Sequence, residues 1–270
     1  MMKKILYMEF GRAFKNKLFL LSVVLGCAIT ISHFIQSVLP YIDSVYLPGA
    51  QYPLTVFHKW IGGEDTGFQP TLYYFAVPLI IAIPYLWTIK SDMDTGYVKN
   101  IFIRIGQEKY YFVKYIVTFV SSGLLAVIPL VVNFLLTAMV LPATIPQSST
   151  AFYPIYNVHI LGDLFYERPY VYLLFYLVLN FVYFGLLATT GLVICFVAEN
   201  RYVVILVPFL IYMAIYTFTL VTDLYEYCPV GFLKPSQPVV SNMWIIGGEI
   251  FLLLLSGVVY MYLGSKKEMY

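Results

Sequence analysis

Six runs of the chain each approach the roughly 20 mostly apolar residues that a helix needs to cross a bilayer: 18–39, 71–89, 115–139, 171–198, 202–221 and 244–263. A fold in water has no core large enough to hide that many. Of the 270 residues, 61% are hydrophobic and 11% charged, against about 25% charged in an average soluble domain. The class expected is an all-α polytopic membrane protein: one transmembrane domain, 1–270, with six transmembrane helices. None of the runs alternates strictly, which argues against a β-barrel. The first run follows a positive stretch, as a signal peptide would, but it is long and no small-residue cleavage site follows it. It is read as a span.

Direction comes from the cations. Thirteen fall on one side of the expected spans: Lys3, Lys4, Arg12, Lys15, Lys17, Lys90, Lys99, Arg104, Lys109, Lys114, Arg201, Lys266 and Lys267. Three fall on the other: Lys59, Arg168 and Lys234. The positive-inside bias places both termini and the 90–114 segment in the cytoplasm. Asp43, Glu64, Asp65, Asp163, Glu167, Asp223 and Glu226 then face outward. A net charge of +2 gives no reason to expect a nucleic-acid partner. Tyrosines near the span ends read as an interfacial belt with membrane lipids. Of the three cysteines, Cys27 and Cys195 lie in apolar runs and Cys228 in a polar loop, too few for a disulfide framework.

Between the second and third runs stands SDMDTGYVKNIFIRIGQEKYYFVKY, residues 91–115. Ser91 and Asp94 have capping-box spacing. Asp92 and Asp94 suit a helix N-terminus, and Lys99 and Arg104 its C-terminus. Tyr97, Ile101 and Ile105, with Val98 and Phe102 beside them, form one apolar stripe, and Gly106 is a stop. The pattern predicts a cytoplasmic amphipathic helix over 92–105, with Gly96 inside it at a cost of about 1 kcal/mol against Ala. Such a helix either lies on lipid headgroups or presents a rigid surface to a cytoplasmic partner.

The segment resembles the cytoplasmic stretch of ABC-2-type transporter permeases, in which an acidic residue, a glycine and a lysine-bearing helix precede the third span. Asp94, Gly96 and Lys99 match that order. TGYVKNI followed by KYYFVKYI is similar to the subset found with bacterial peptide-antibiotic exporters and immunity transporters. MEFGRAFKNKLFLL resembles that family's cytoplasmic elbow helix, YLGSKKEMY its basic tail, and WIGGEDTGFQPTLYYFAVPLIIAIPYLW its outer loop and second span.

The resemblance implies a half-channel in a bacterial plasma membrane, paired with a second copy or a related permease. Asp92, Asp94, Gly96, Lys99, Ile101 and Arg104 would form the coupling helix that docks on a separate ATP-binding cassette subunit. The chain has no G-x-x-x-x-G-K-[ST] loop, so it is read as a permease without cofactor and not as an enzyme, with ATP and magnesium held by the partner. The substrate class stays open between antimicrobial peptide, drug and lipid. A secondary transporter and a non-transporting scaffold are the rival readings. Against the secondary transporter stand the lack of inverted repeats and a single carboxylate within a span.

That carboxylate is Glu249, which follows Gly247 and Gly248 about 9 Å below the outer edge of the sixth run. It reads either as a gate on the translocation path or as a side chain that reaches the interface. Asn133 and Asn180 lie within the third and fourth runs, either on the path or in interhelical hydrogen bonds. Gly185 and Gly191 mark a close helix contact, internal or at a dimer seam. Pro78, Pro84 and Pro129 predict kinks. His33, His58 and His159 read as surface or interface residues. The outer segment 222–243 reads as a simple loop from its residues, and as short re-entrant helices from the resemblance.

Overall fold

A computed structural model of the chain describes residues 2–45, 55–64, 67–146, 155 and 159–266, with the side chains of 43–45 excepted. The expectations for Asp65, Lys267 and the Asp43 side chain therefore lie outside the described residues. Among the described residues all regular structure is helical. Helix α1 is Met2–Phe14, and α2 is Lys17–His33, continued by a π-helical turn Phe34–Val38 and by α3, Leu39–Val45. The short α4 is Val56–Lys59. Helices α5 (Phe68–Ile80), α6 (Trp87–Asp94), α7 (Tyr97–Ile105) and α8 (Gln107–Ala138) follow. Then come α9 (Gly162–Glu167), α10 (Pro169–Ile194), α11 (Arg201–Val221), α12 (Pro229–Leu233) and α13 (Met243–Lys266).

Five of these are long and apolar enough to cross a membrane: Lys17–Ile42, α8, α10, α11 and α13. They match five of the six expected runs: α8 starts eight residues before 115, because its first turns are polar, and ends at Ala138, and α10 ends at Ile194, four residues short of 198. Helix α10 is the most buried, packed on α8, α11 and α13. Helices α2, α11 and α13 turn Leu20, Val24, Leu210, Phe218, Phe251, Leu252 and Val258 outward. Outward apolar side chains of this kind need lipid around them.

The second expected span is not one helix. Helix α5 stops at Ile80 after 13 residues, about 20 Å at 1.5 Å per residue. The chain then turns through 81–86 before α6 begins. Pro84 explains the stop: it has no N–H, and its ring would collide with the Ile80 carbonyl if the helix ran on. The carbonyls freed by the break find donors. Ser122 Oγ donates to Ile81 O at 3.0 Å, Asn16 Nδ2 to Pro84 O at 3.0 Å and Thr88 Oγ1 to Tyr85 O at 2.7 Å. Ile81, Ala82, Tyr85 and Leu86 are buried, so the irregular backbone is enclosed by protein, the condition for such backbone at membrane depth.

Gly185 packs on the Phe119 carbonyl and ring, and Gly191 on Leu86 and the Val204 carbonyl. That contact is internal. Pro129 lies within an unbroken α8, opposite Gly26, where any Cβ would meet its ring.

Candidate coupling site

Helix α7 is the exposed amphipathic element that the 91–115 block announces, but its limits differ from 92–105. No helix starts at Ser91. Helix α6 runs through Ser91 and ends at Asp94, and Gly96 then takes a left-handed φ of +70°. Gly96 stands between two helices, not inside one. Gly106 repeats the arrangement at φ +82° before α8. Only glycine enters this region without penalty. Helix α7 is thus bracketed by two glycine joints, with Val98, Ile101 and Ile105 buried. Tyr97, expected on the apolar stripe, is exposed instead. Lys99, Asn100, Ile103 and Arg104 face outward, and Ile103 is 86% exposed.

Two shallow grooves open near the two joints. One, about 440 Å³, is lined by Ser91, Asp94, Glu199, Asn200 and Arg201, so the short α10–α11 turn sits beside the end of α6. The other, about 330 Å³, is lined by Ile105, Gly106, Gln107, Glu108, Lys109 and Ser265. Asp94 is outward and pairs with Lys90 at 3.2 Å.

Asp92 does something the sequence does not announce. It is buried and meets three partners: Arg12 through two hydrogen bonds of 2.7 and 2.9 Å, Lys114 at 2.9 Å and the Tyr110 hydroxyl at 3.0 Å. Glu9 on α1 completes the group. It accepts from Arg12 at 2.9 Å, Lys114 at 2.9 Å and Tyr85 at 2.6 Å. Lys114 also donates to Thr88 Oγ1 at 3.2 Å and lies over the rings of Tyr85 and Tyr110. Glu9 and Lys114 are fully buried.

The quartet joins two cationic and two anionic side chains, and each carboxylate meets both cations and a tyrosine hydroxyl. That is how charge survives without water. Burial by itself would raise the Asp92 carboxyl, but the hydrogen bonds and charges of Arg12 and Lys114 outweigh it, and it lies below its ordinary value. Burial likewise opposes the Arg12 charge, and Asp92 and Glu9 outweigh it, so Arg12 lies above its ordinary value. Arg12 also stacks over Tyr97, the first residue of α7. The quartet therefore ties α1, α6 and α8 together, and Arg12 carries it to the first residue of α7.

Glu9, Arg12, Tyr85, Thr88, Tyr110 and Lys114 are absent from the sequence reading of the site. One signal was available: Glu9 falls four residues from both Ile5 and Ala13, on the face of α1 that a buried helix would keep apolar.

The three residues read as path or gate separate. Glu249 accepts from the Tyr183 hydroxyl at 2.9 Å. Asn180 donates to Tyr176 O at 2.8 Å and to Leu233 O at 3.0 Å. Leu233 belongs to a buried stretch, 228–237, that returns beside the middle of α10. Tyr74 donates to the same carbonyl at 3.2 Å, and Tyr172 to Pro235 O at 2.5 Å. Cys228 is accordingly buried rather than in a polar loop. Asn133 binds Thr30 O at 2.7 Å and the Ile61 N–H at 2.8 Å. His33 and His58, read as surface residues, are both buried, and burial pushes His58 down to about 4.

No family model matches the chain, and no curated protein and no solved structure matches it.

Proposed function

We propose that the chain is the membrane-embedded permease subunit of an ABC exporter, driven by a separate ATP-binding cassette subunit. In this reading six spans cross a bacterial plasma membrane, the second being the broken α5–α6 pair. Both termini are cytoplasmic, α1 is the elbow helix, and a second permease completes the path. One observation supports it above the others: a short amphipathic helix, bracketed by Gly96 and Gly106, adjoins a largely buried charge quartet through Tyr97 and Arg12 and presents Lys99, Ile103 and Arg104 outward. An apolar side chain as exposed as Ile103, flanked by cations, suits a groove in a soluble partner. The glycine joints let α7 move as a body, and the quartet passes that motion to α1, α6 and α8 together.

Co-purification of an ATP-binding cassette subunit with the chain in mild detergent tests the reading. Ile103→Asp with Arg104→Glu should abolish association and stimulated ATP hydrolysis while the chain still inserts. Retained association, or substrate movement by the isolated chain, overturns it.

The broken α5–α6 pair favours a second reading, a secondary transporter, since discontinuous helices line the substrate sites of such proteins. Uptake driven by an ion gradient in vesicles holding this chain alone selects it.

A further inference from the structure

Beside α7, aromatic rings pack as two triangles that share one corner. In the first, Phe102 of α7 lies 5.6 Å from Tyr110 and 5.7 Å from Tyr111, and those two lie 5.6 Å apart, centroid to centroid. In the second, Tyr111 lies 5.6 Å from both Phe196 and Tyr260, which lie 5.7 Å apart. Each pair meets edge to face or tilted, at a spacing where aromatic rings attract. The shared corner is Tyr111, near the start of α8. Phe196 belongs to the α10–α11 turn and Tyr260 to α13.

The α13 side is closely fitted. Gly257, Tyr260 and Gly264 are buried on one face of that helix. A Cβ on Gly264 would stand 2.6 Å from the Tyr111 ring, and one on Gly257 2.6 Å from that of Tyr115. Tyr260 pairs with both rings, at 5.6 Å from Tyr111 and 6.4 Å from Tyr115. Gln107, four residues before Tyr111, donates to Gly264 O. Tyr111 and Tyr260 are fully buried, and neither hydroxyl has a hydrogen-bond partner among the described residues. What each contributes is its ring.

We infer that Tyr111 is a positioning residue that couples α7 to α13 and to the α10–α11 turn. Among the described residues the ring pairs of Phe102 are with Tyr110 and Tyr111, and of these two Tyr111 alone pairs with Tyr260. A displaced α7 carries Phe102 against Tyr111. Tyr111 has no slack against Gly264, and a close-packed contact transmits a shift instead of absorbing it. Tyr110 takes the other branch, through its hydroxyl on Asp92 at 3.0 Å. The two neighbouring tyrosines thus divide the motion: Tyr110 towards α1 and α6, Tyr111 towards α10 and α13. The inference deepens the permease reading, in which the cassette subunit displaces α7, but the coupling itself belongs to this chain alone.

The test is hydrogen exchange on the full chain in lipid nanodiscs with no partner added, so it decides the coupling whether or not a cassette subunit binds. Phe102→Leu removes two ring pairs and leaves Val98, Ile101 and Ile105 to seat α7. Amides of 257–266 should then exchange about tenfold faster, while those of 18–33 on α2, which none of these ring pairs includes, stay within about twofold. Coupling is reciprocal, so Gly264→Ala, whose Cβ presses on Tyr111, should speed exchange of 97–105 on α7 by a similar factor. Tyr111→Phe keeps the ring and should match the wild type at both segments. Tyr111→Leu should speed both and leave Phe102→Leu no further effect on 257–266. Unchanged exchange at 257–266 in Phe102→Leu or at 97–105 in Gly264→Ala, an equal rise across α2, or Tyr111→Phe as fast as Tyr111→Leu overturns the inference.

Discussion

Lys114 Nζ and Glu9 Oε2 meet at 2.9 Å with neither side chain exposed, although 105 residues separate them in the chain. The contact binds an N-terminal helix to the first turns of the longest span. Removing Lys114 leaves Arg12 as the one cation for both Glu9 and Asp92, and breaking a buried ion pair in this way typically costs about 3–5 kcal/mol. Lys114→Met should therefore lower the thermal unfolding midpoint sharply in detergent. Glu9→Gln in the Lys114→Met background should recover part of the loss, because it restores one carboxylate to one cation. Strict additivity of the two changes would show that the pair does not interact.

The quartet also fixes an acid dependence. The Asp92 carboxyl is depressed in the fold. Its stabilisation is complete above the ordinary aspartate value, about 3.9, and is lost as pH falls through the lower folded value. Arg12 is shifted upward. Its contribution is present at every pH below its unfolded value, so it adds nothing to the acid limb. Unfolding midpoints recorded against pH should drop on the acid side in the wild type. Asp92→Asn should lower the neutral plateau and flatten that drop. A wild-type curve flat into strong acid would contradict the pairing.

How much of this was legible in the sequence depends on whether the signal was local. Apolar runs found five of the spanning helices because burial in lipid is read one segment at a time. The run 71–89 misled for a local reason too: Pro84 outweighs hydropathy once Ser122, Asn16 and Thr88 supply donors for the open turn. Ser91 and Asp94 have the spacing of a cap, yet α6 is already under way at Trp87, and the helix boundary falls to Gly96. Asp92 was singled out for its place near a helix terminus and proved to matter for contacts with Arg12 and Lys114. Those contacts depend on which helices touch, and periodicity carries no such information. Lys114 counted as one more cytoplasmic cation for the same reason.

Gly96 and Gly106 hold positive φ, and a Cβ at either meets nothing within 4 Å. Substitution there strains the backbone alone. Gly96→Ala and Gly106→Ala should each cost about 1–2 kcal/mol, read as a fall in unfolding midpoint. Gly96→Asn should cost less, since Asn tolerates the left-handed region. Gly96→Pro should cost most, because proline locks φ near −65°. Equal losses for all three would mean that φ is not the constraint.

Tyr183 and Glu249 make a pair whose two halves are not equivalent. Tyr183→Phe removes the donor and leaves a half-buried carboxylate without it, a loss of about 1–3 kcal/mol. Glu249→Gln keeps an acceptor oxygen for the hydroxyl and should cost less than half as much. A transport defect in Glu249→Gln at unchanged stability would assign the carboxylate to the path. Normal transport would leave it as the partner of Tyr183.

The re-entrant stretch 228–237 gives a readout through its own cysteine. Asn180 and Tyr74 hold the Leu233 carbonyl from two helices, and Tyr172 holds that of Pro235. Backbone groups at this depth have no water to turn to, so the side-chain donors keep the stretch in place. Cys228, buried and reduced, should react slowly with a soluble maleimide in a Cys27→Ser, Cys195→Ser background. Asn180→Leu takes away one donor while preserving size, and should speed Cys228 labelling by about tenfold, the equivalent of about 1.4 kcal/mol for one buried hydrogen bond. Adding Tyr74→Phe should speed it further. Labelling as slow in the double variant as in the wild type would mean that apolar packing of Val230, Phe232 and Leu233, and not the carbonyl clamps, seats the stretch.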